Sequence, residues 1–154
     1  MLLSQGSEYA LRIAAYLALC GKAGRFSSRE VAEATHVPPH YSSKILRKLV
    51  SAGILSAVRG KGGGFIVARA PSQIRFRDIL DAVGAELSPR HCVFGLAECG
   101  SKNPCLLHYR WKAFNEIFQK WANDTTLADV MHDVDVETML GKYRRMRENL
   151  SREK

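Results

Sequence analysis

The residues best equipped for chemistry are Cys92, Cys99 and Cys105, with His108 three positions beyond the last thiol. Three thiolates and an imidazole are donors suited to an iron–sulfur cluster or to tetrahedral zinc, and the Cys-x6-Cys-x5-Cys spacing leaves both open. Cys105 and His108 stand i and i+3 at the expected start of a helix, so they can share a face. Arg90, Lys102 and Arg110 add positive charge, which favours thiolate over thiol. The fourth cysteine, Cys20, lies in an apolar helical stretch and reads as a buried hydrophobe.

A second set of residues carries charge. The chain has 23 Lys and Arg against 15 Asp and Glu, a net charge of +8. From Ala34 to Arg77 there are eight basic residues and no acidic one, so the whole excess sits in that segment. A positive field concentrated this way suits a polyanion, whereas the bland reading is a solvated basic face.

The elements that position these groups can be read from capping, periodicity and turn residues. A first helix runs from Ser4 or Ser7 to about Leu19, with Ala10, Leu11, Ala14, Leu17 and Ala18 on one face. Ser27 and Glu30 have capping-box spacing and open a short helix that ends near Thr35. The stretch His36-Val37-Pro38-Pro39 forces a turn. A further helix runs from Pro39 to about Ala52, faces Ile45, Leu46 and Leu49 inward, and is capped by Gly53. Ile54–Val58 and Phe65–Ala68 are β-prone and flank Arg59-Gly60-Lys61-Gly62-Gly63-Gly64, so they predict a hairpin with a basic, side-chain-poor tip. A short helix follows over Phe76–Val83. A long one is expected from Cys105 to about Ala122, with Leu107, Trp111, Phe114, Phe118 and Trp121 as a heptad seam. Thr125 or Thr126 caps one more short helix, and the charged end from Lys142 is expected to fray.

The predicted fold class is mainly α with a small β-hairpin: a winged helix-turn-helix plus a long dimerisation helix. The expected divisions are 1–84 for the winged helix-turn-helix, 85–104 for the cysteine loop, 105–135 for the dimerisation helix and its short successor, and 136–154 for a flexible charged tail. The second helix of such a unit enters the major groove by its N-terminal end. His40, Ser43, Lys44 and Arg47 then fall on one face toward DNA. Tyr41 and Ser27 stand where they can bond phosphate, with core packing as the alternative for Tyr41 and plain solvation for Lys48. Arg59, Lys61, Gly62 and Gly63 bring the hairpin tip to a minor groove or its backbone.

At 154 residues, with 46% hydrophobic and 25% charged, wholesale disorder is excluded, and no apolar run reaches the ~20 residues of a membrane span. No signal peptide is read, so a cytoplasmic protein with reduced or metal-bound cysteines is expected.

Tyr9-Ala10-Leu11, the run Arg59 to Phe65 and the three cysteines before a long helix resemble, together, the Rrf family of bacterial winged-helix transcription regulators. The similarity covers about residues 1–135. The resemblance implies a homodimer on a double-stranded DNA operator, with the long helix crossing its partner. It implies that Cys92, Cys99 and Cys105 hold an iron–sulfur cluster, 2Fe-2S in preference to 4Fe-4S, whose loss, oxidation or nitrosylation changes DNA affinity. For the fourth ligand it offers His108, or a carboxylate from the partner's first helix, where Glu8 stands in place of the family's Asp. His108 is preferred, and His91 is a weaker candidate. Neither a small-molecule substrate nor a membrane is expected. The rivals are a winged-helix regulator with structural zinc, a redox electron-transfer protein or enzyme, and a helix-paired scaffold. The enzyme reading lacks a convincing nucleophile–base pair, since triples such as Ser27, His40 and Asp78 arise by chance.

Overall fold

In the computed structural model, which describes residues 3–21, 24–85, 94 and 104–133, helix α1 (Gln5–Cys20) is the element around which the others pack. Ser4 caps it, its Oγ accepting the Ser7 amide at 3.2 Å. The buried set Ala10, Ile13, Ala14 and Leu17 recurs at helical spacing and faces α3 (Pro39–Ser51), α4 (Phe76–Val83) and α6 (Leu127–Asp133). Leu46, Leu49, Ile54, Ile74, Ile79 and Leu127 close one continuous core around it.

Helix α2 (Ser28–Thr35) has the expected reciprocal cap. Ser27 Oγ accepts the Glu30 amide at 3.2 Å, and Glu30 Oε2 accepts the Ser27 amide at 2.7 Å. The turn into α3 is made by more than its prolines: His36 ends α2 in the left-handed region at φ 52°, the single non-glycine residue with positive φ among those described. Pro39 takes the first helical position of α3, where its missing N–H costs nothing. Gly53, just past that helix, has φ 68°, and its amide donates to Val50 O at 2.9 Å.

Strands β1 (Leu55–Val58) and β2 (Gly64–Val67) pair antiparallel with Leu55 opposite Val67 and Val58 opposite Gly64. A bridge from Phe26 extends the hairpin: Phe26 and Phe65 exchange amide–carbonyl bonds of 3.2 and 2.8 Å. The close approach explains Gly64, where a Cβ would lie 2.6 Å from Phe26 O.

Helix α5 (His108–Asp124) starts later than the sequence predicts. Leu107 has φ −104° and ψ 1°, outside helical geometry, and the His108 amide closes a tight turn onto Cys105 O at 3.0 Å. Cys105 therefore precedes the helix instead of opening it. Of the expected seam, Phe118 packs on Leu80 and Ala122, and Trp121 meets Phe76 edge-on at 5.3 Å, while Leu107 and Phe114 stand exposed. Thr126, not Thr125, is bonded to Asp129 at the head of α6. The amides of Phe76 and Leu127 donate to Thr125 O and Ile74 O, which fixes the α5–α6 junction beside the start of α4.

Candidate nucleic-acid interface and metal ligands

Helix α3 has two unlike faces. Ser42, Ile45, Leu46 and Leu49 are buried, and His40, Tyr41, Lys44 and Arg47 point to water. The inner face fixes the outer one, because buried side chains at i, i+3 and i+4 leave the helix no freedom to roll. Tyr41 is not a core residue. It is 42% exposed, lies against the His40 ring at 4.3 Å and meets Tyr9 edge-on at 5.9 Å. Arg12 in turn sits over Tyr9, its guanidinium carbon 5.5 Å from the ring centre. Sequence reasoning missed this bracket from α1; the i, i+3 spacing of Tyr9 and Arg12 was the available signal.

Ser43 departs from the expected row. It is half-buried, and its hydroxyl pairs with Ser28 Oγ at 3.0 Å, so it ties α3 to α2. Lys48 is not a solvated charge either: its Nζ donates to Val83 O at 2.9 Å, at the end of α4. Ser27 is exposed; its oxygen accepts the Glu30 amide, and its hydroxyl hydrogen is the group it can offer a phosphate.

At the hairpin tip Arg59, Lys61 and Gly62 are exposed. Gly63 serves the turn: its amide donates to Gly60 O at 2.9 Å, and a Cβ there would lie 2.2 Å from Val58 O. The tip thus offers two long cations on a backbone that can approach a nucleic acid closely.

A groove of about 1010 Å³ opens between α1 and the α2–α3 turn, lined by Glu8, Tyr9, Arg12, Glu33, His36 and Pro38 among others. Nearby, hydrogen bonds from Ser27 hold the Glu30 carboxyl below the ordinary carboxylate range. Within α1, burial pushes the Tyr16 hydroxyl up to about 12 and raises the Cys20 thiol. Cys20 is half-buried and packs on the core, as a hydrophobe in that helix should.

Of the expected metal ligands, Cys92 and Cys99, with His91, lie outside the described residues. Cys105 is half-buried on the turn before α5, and His108 is buried on its first residue, its ring edge-on to Tyr109 at 5.2 Å. The two are brought onto one closed turn. Glu8 lines the groove on α1, and within one chain no three His, Cys, Asp or Glu side chains converge among the described residues.

Residues 3–133 match the family model for Rrf2, described as an iron-dependent transcriptional regulator. The chain belongs to the Rrf2 family. Among its relatives are an HTH-type transcriptional regulator of Aquifex aeolicus, 28% identical over 134 residues (86% of this chain and 92% of that one), and IscR of Escherichia coli, 25% identical over 142 residues (92% and 87%). In fold it resembles CymR, the global cysteine regulator of B. subtilis, with a TM-score of 0.73 at 23% identity (86% of this chain and 97% of that one). It also resembles T. potens IscR, with a TM-score of 0.67 at 24% identity (84% and 85%). The Rrf2 relatives are transcriptional regulators, not enzymes, and the expectation of a mainly helical winged-helix protein is met. No helix among the described residues is long and apolar enough to cross a membrane.

Proposed function

We propose that this Rrf2 regulator is a cytoplasmic homodimer that binds a double-stranded operator sequence-specifically, and that an iron–sulfur cluster sets its affinity. In this reading residues 1–84 read DNA, 85–104 carry the cluster loop, 105–135 pair with a second copy, and 136–154 form a charged tail. Cys92, Cys99 and Cys105 are the thiolate ligands and His108 the fourth ligand, with Glu8 of a second copy as the alternative. The donor set fits such a group, because thiolates are the ligands iron–sulfur clusters take and an imidazole can replace one of them. The observation that carries the reading is the closed turn that sets Cys105 and His108 together at the head of α5. That helix leaves an apolar face outside this chain, with Ile117 69% exposed and Leu106, just before it, 99% exposed.

When bound, the cluster supplies a centre whose charge and ligation change with oxidation, nitric oxide or loss. The protein's part is positional. Leu46 and Leu49 lock the reading helix, Phe118 and Trp121 seat α5 on α4, and pairing along α5 sets the distance between two reading helices. A ligand shifts such an equilibrium only by holding the two arrangements with different free energy.

The test is the visible spectrum of anaerobically purified protein. Coloured protein is expected, with absorption lost on Cys→Ala at 92, 99 or 105 and altered on His108→Ala. Colourless protein with one zinc per chain would contradict the cluster. An unchanged spectrum in His108→Ala with an altered one in Glu8→Ala would move the fourth ligand to the partner's α1.

A further inference from the structure

Helix α4 is joined by polar side chains to the reading helix on one side and to α5 on the other. Lys48 reaches from the last turn of α3 across 35 positions of sequence to Val83 O. That carbonyl lies at the C-terminal end of α4, where carbonyls lack helical partners and the helix dipole is negative. The cap amides of Gly84 and Ala85 take Asp81 O and Leu80 O, so the ammonium supplies a partner that the backbone cap does not. On the far side of α4, Arg77 donates from Nε to Asp81 Oδ2 at 2.7 Å and from Nη1 to Gln119 Oε1 on α5 at 2.6 Å. Apolar contacts run the same way, from Leu80 on α4 to Phe118 and Ala122 on α5.

The placement in sequence matters. Two residues after Val83 the chain enters the stretch that carries Cys92 and Cys99, and Cys105 closes that stretch on the turn just before α5. Both ends of the cysteine segment are therefore anchored on the α4–α5 pair. A shift of α5 against α4, or of the α4 C-terminus, has a charged hydrogen bond to α3 to travel through, beside the direct packing of α3 on α4.

We propose that α4 is the strut between the cysteine segment and the reading helix, and that Lys48 is the positioning residue that couples them. Lys48 acts through Val83, not by contact with DNA. This rests on the cluster-sensing reading above, and the test separates the two.

The probe is a duplex selected from a random pool by the wild-type dimer, titrated anaerobically with cluster-loaded and cluster-free protein. Coupling between ligand sites is typically ~5–150-fold in affinity. In Lys48→Met, which keeps the apolar stem and removes the charge, the loaded-to-free affinity ratio is expected to shrink about 3- to 30-fold while the cluster spectrum stays unchanged. Lys48→Arg, which keeps a cationic donor, restores most of the ratio. If Lys48→Met weakens both forms equally and lowers the salt slope by about one, Lys48 is a phosphate contact and the strut is overturned.

If the wild-type ratio is itself one, the sensing reading fails, and the strut is decided by hydrogen exchange without DNA. Arg77→Ala, which removes the hydrogen bond to Gln119 on α5, should speed exchange of the amides of residues 46–50. Unchanged exchange there would overturn the strut independently.

Discussion

Helices α3 and α5 make opposite use of their surfaces. In its 13 residues α3 buries Ile45, Leu46 and Leu49 on the side that packs against α1, α2, α4 and β1, and shows water a polar face with His40, Lys44 and Arg47. In its 17 residues α5 buries only His108 and Ala122, and leaves Tyr109, Phe114 and Ile117 exposed. One helix is completed by its own chain and offers charge to a polyanion. The other leaves apolar side chains exposed, and in the dimer proposed above a second copy would cover them. Reading and pairing are thus separable, and substitutions on the two helices should fail in different ways.

The largest expected effect breaks the comparison if α3 does not face DNA. With ~6 phosphates contacted, affinity for the selected duplex should fall about 10³-fold or more between 50 and 200 mM salt, measured by fluorescence anisotropy. A flat dependence would exclude docking through Lys44, Arg47, Arg59 and Lys61.

Next comes the inner face of α3. Leu49→Ala should lower stability by about 2–5 kcal/mol in urea unfolding, because Leu49 is wholly buried and the cavity is held open by its neighbours. Its oligomeric state should not change where it remains folded. Ile117→Glu should do the reverse, weakening dimerisation by roughly 10- to 100-fold in sedimentation with helical content and unfolding midpoint of the monomer kept. If Ile117→Glu instead unfolds the chain, α5 is part of the core and the contrast between the helices is lost.

The smallest effect sharpens the account of α2, on which α3 rests. The Glu30 carboxyl titrates below its ordinary range because Ser27 hydrogen bonds stabilise its charged form. The unfolded chain therefore binds this proton first as pH falls, so the contribution is present above the ordinary carboxylate range and is lost as pH drops through the folded value. Glu30→Gln should flatten that part of the acid limb of stability without moving the rest. An identical acid limb in both proteins would remove Glu30 from the cap.

Much of the reading unit was legible because its signals are local. Ser27 and Glu30, Pro39 and Gly53 each act within a few residues of themselves, and each stands where its backbone role requires. The glycine hairpin was legible for the same reason, although the Phe26 bridge that widens it was not, since strand pairing across 39 positions leaves no local mark. The turn at His36–Pro39 is legible from Pro38 and Pro39, but the left-handed backbone of His36 is not, because that region is rare for a residue with Cβ. Helical position alone puts Ser43 on the face toward DNA and leaves Lys48 to solvent. Their actual partners, Ser28 and Val83, come from elements whose approach only the tertiary fold sets. The start of α5 slipped by three residues because Cys105 and Leu107 form a turn that helical periodicity does not distinguish from a first helical turn.

The central claim is that a sulfur-held iron centre governs how tightly this dimer grips its operator. It is tested most directly by one anaerobic titration of the selected duplex with matched cluster-loaded and cluster-free dimer at constant ionic strength. The account predicts dissociation constants that differ ~5-fold or more and converge in the Cys92→Ala, Cys99→Ala and Cys105→Ala proteins. Superimposable curves for loaded and cluster-free wild-type dimer would contradict it and leave a DNA-binding regulator without this sensor.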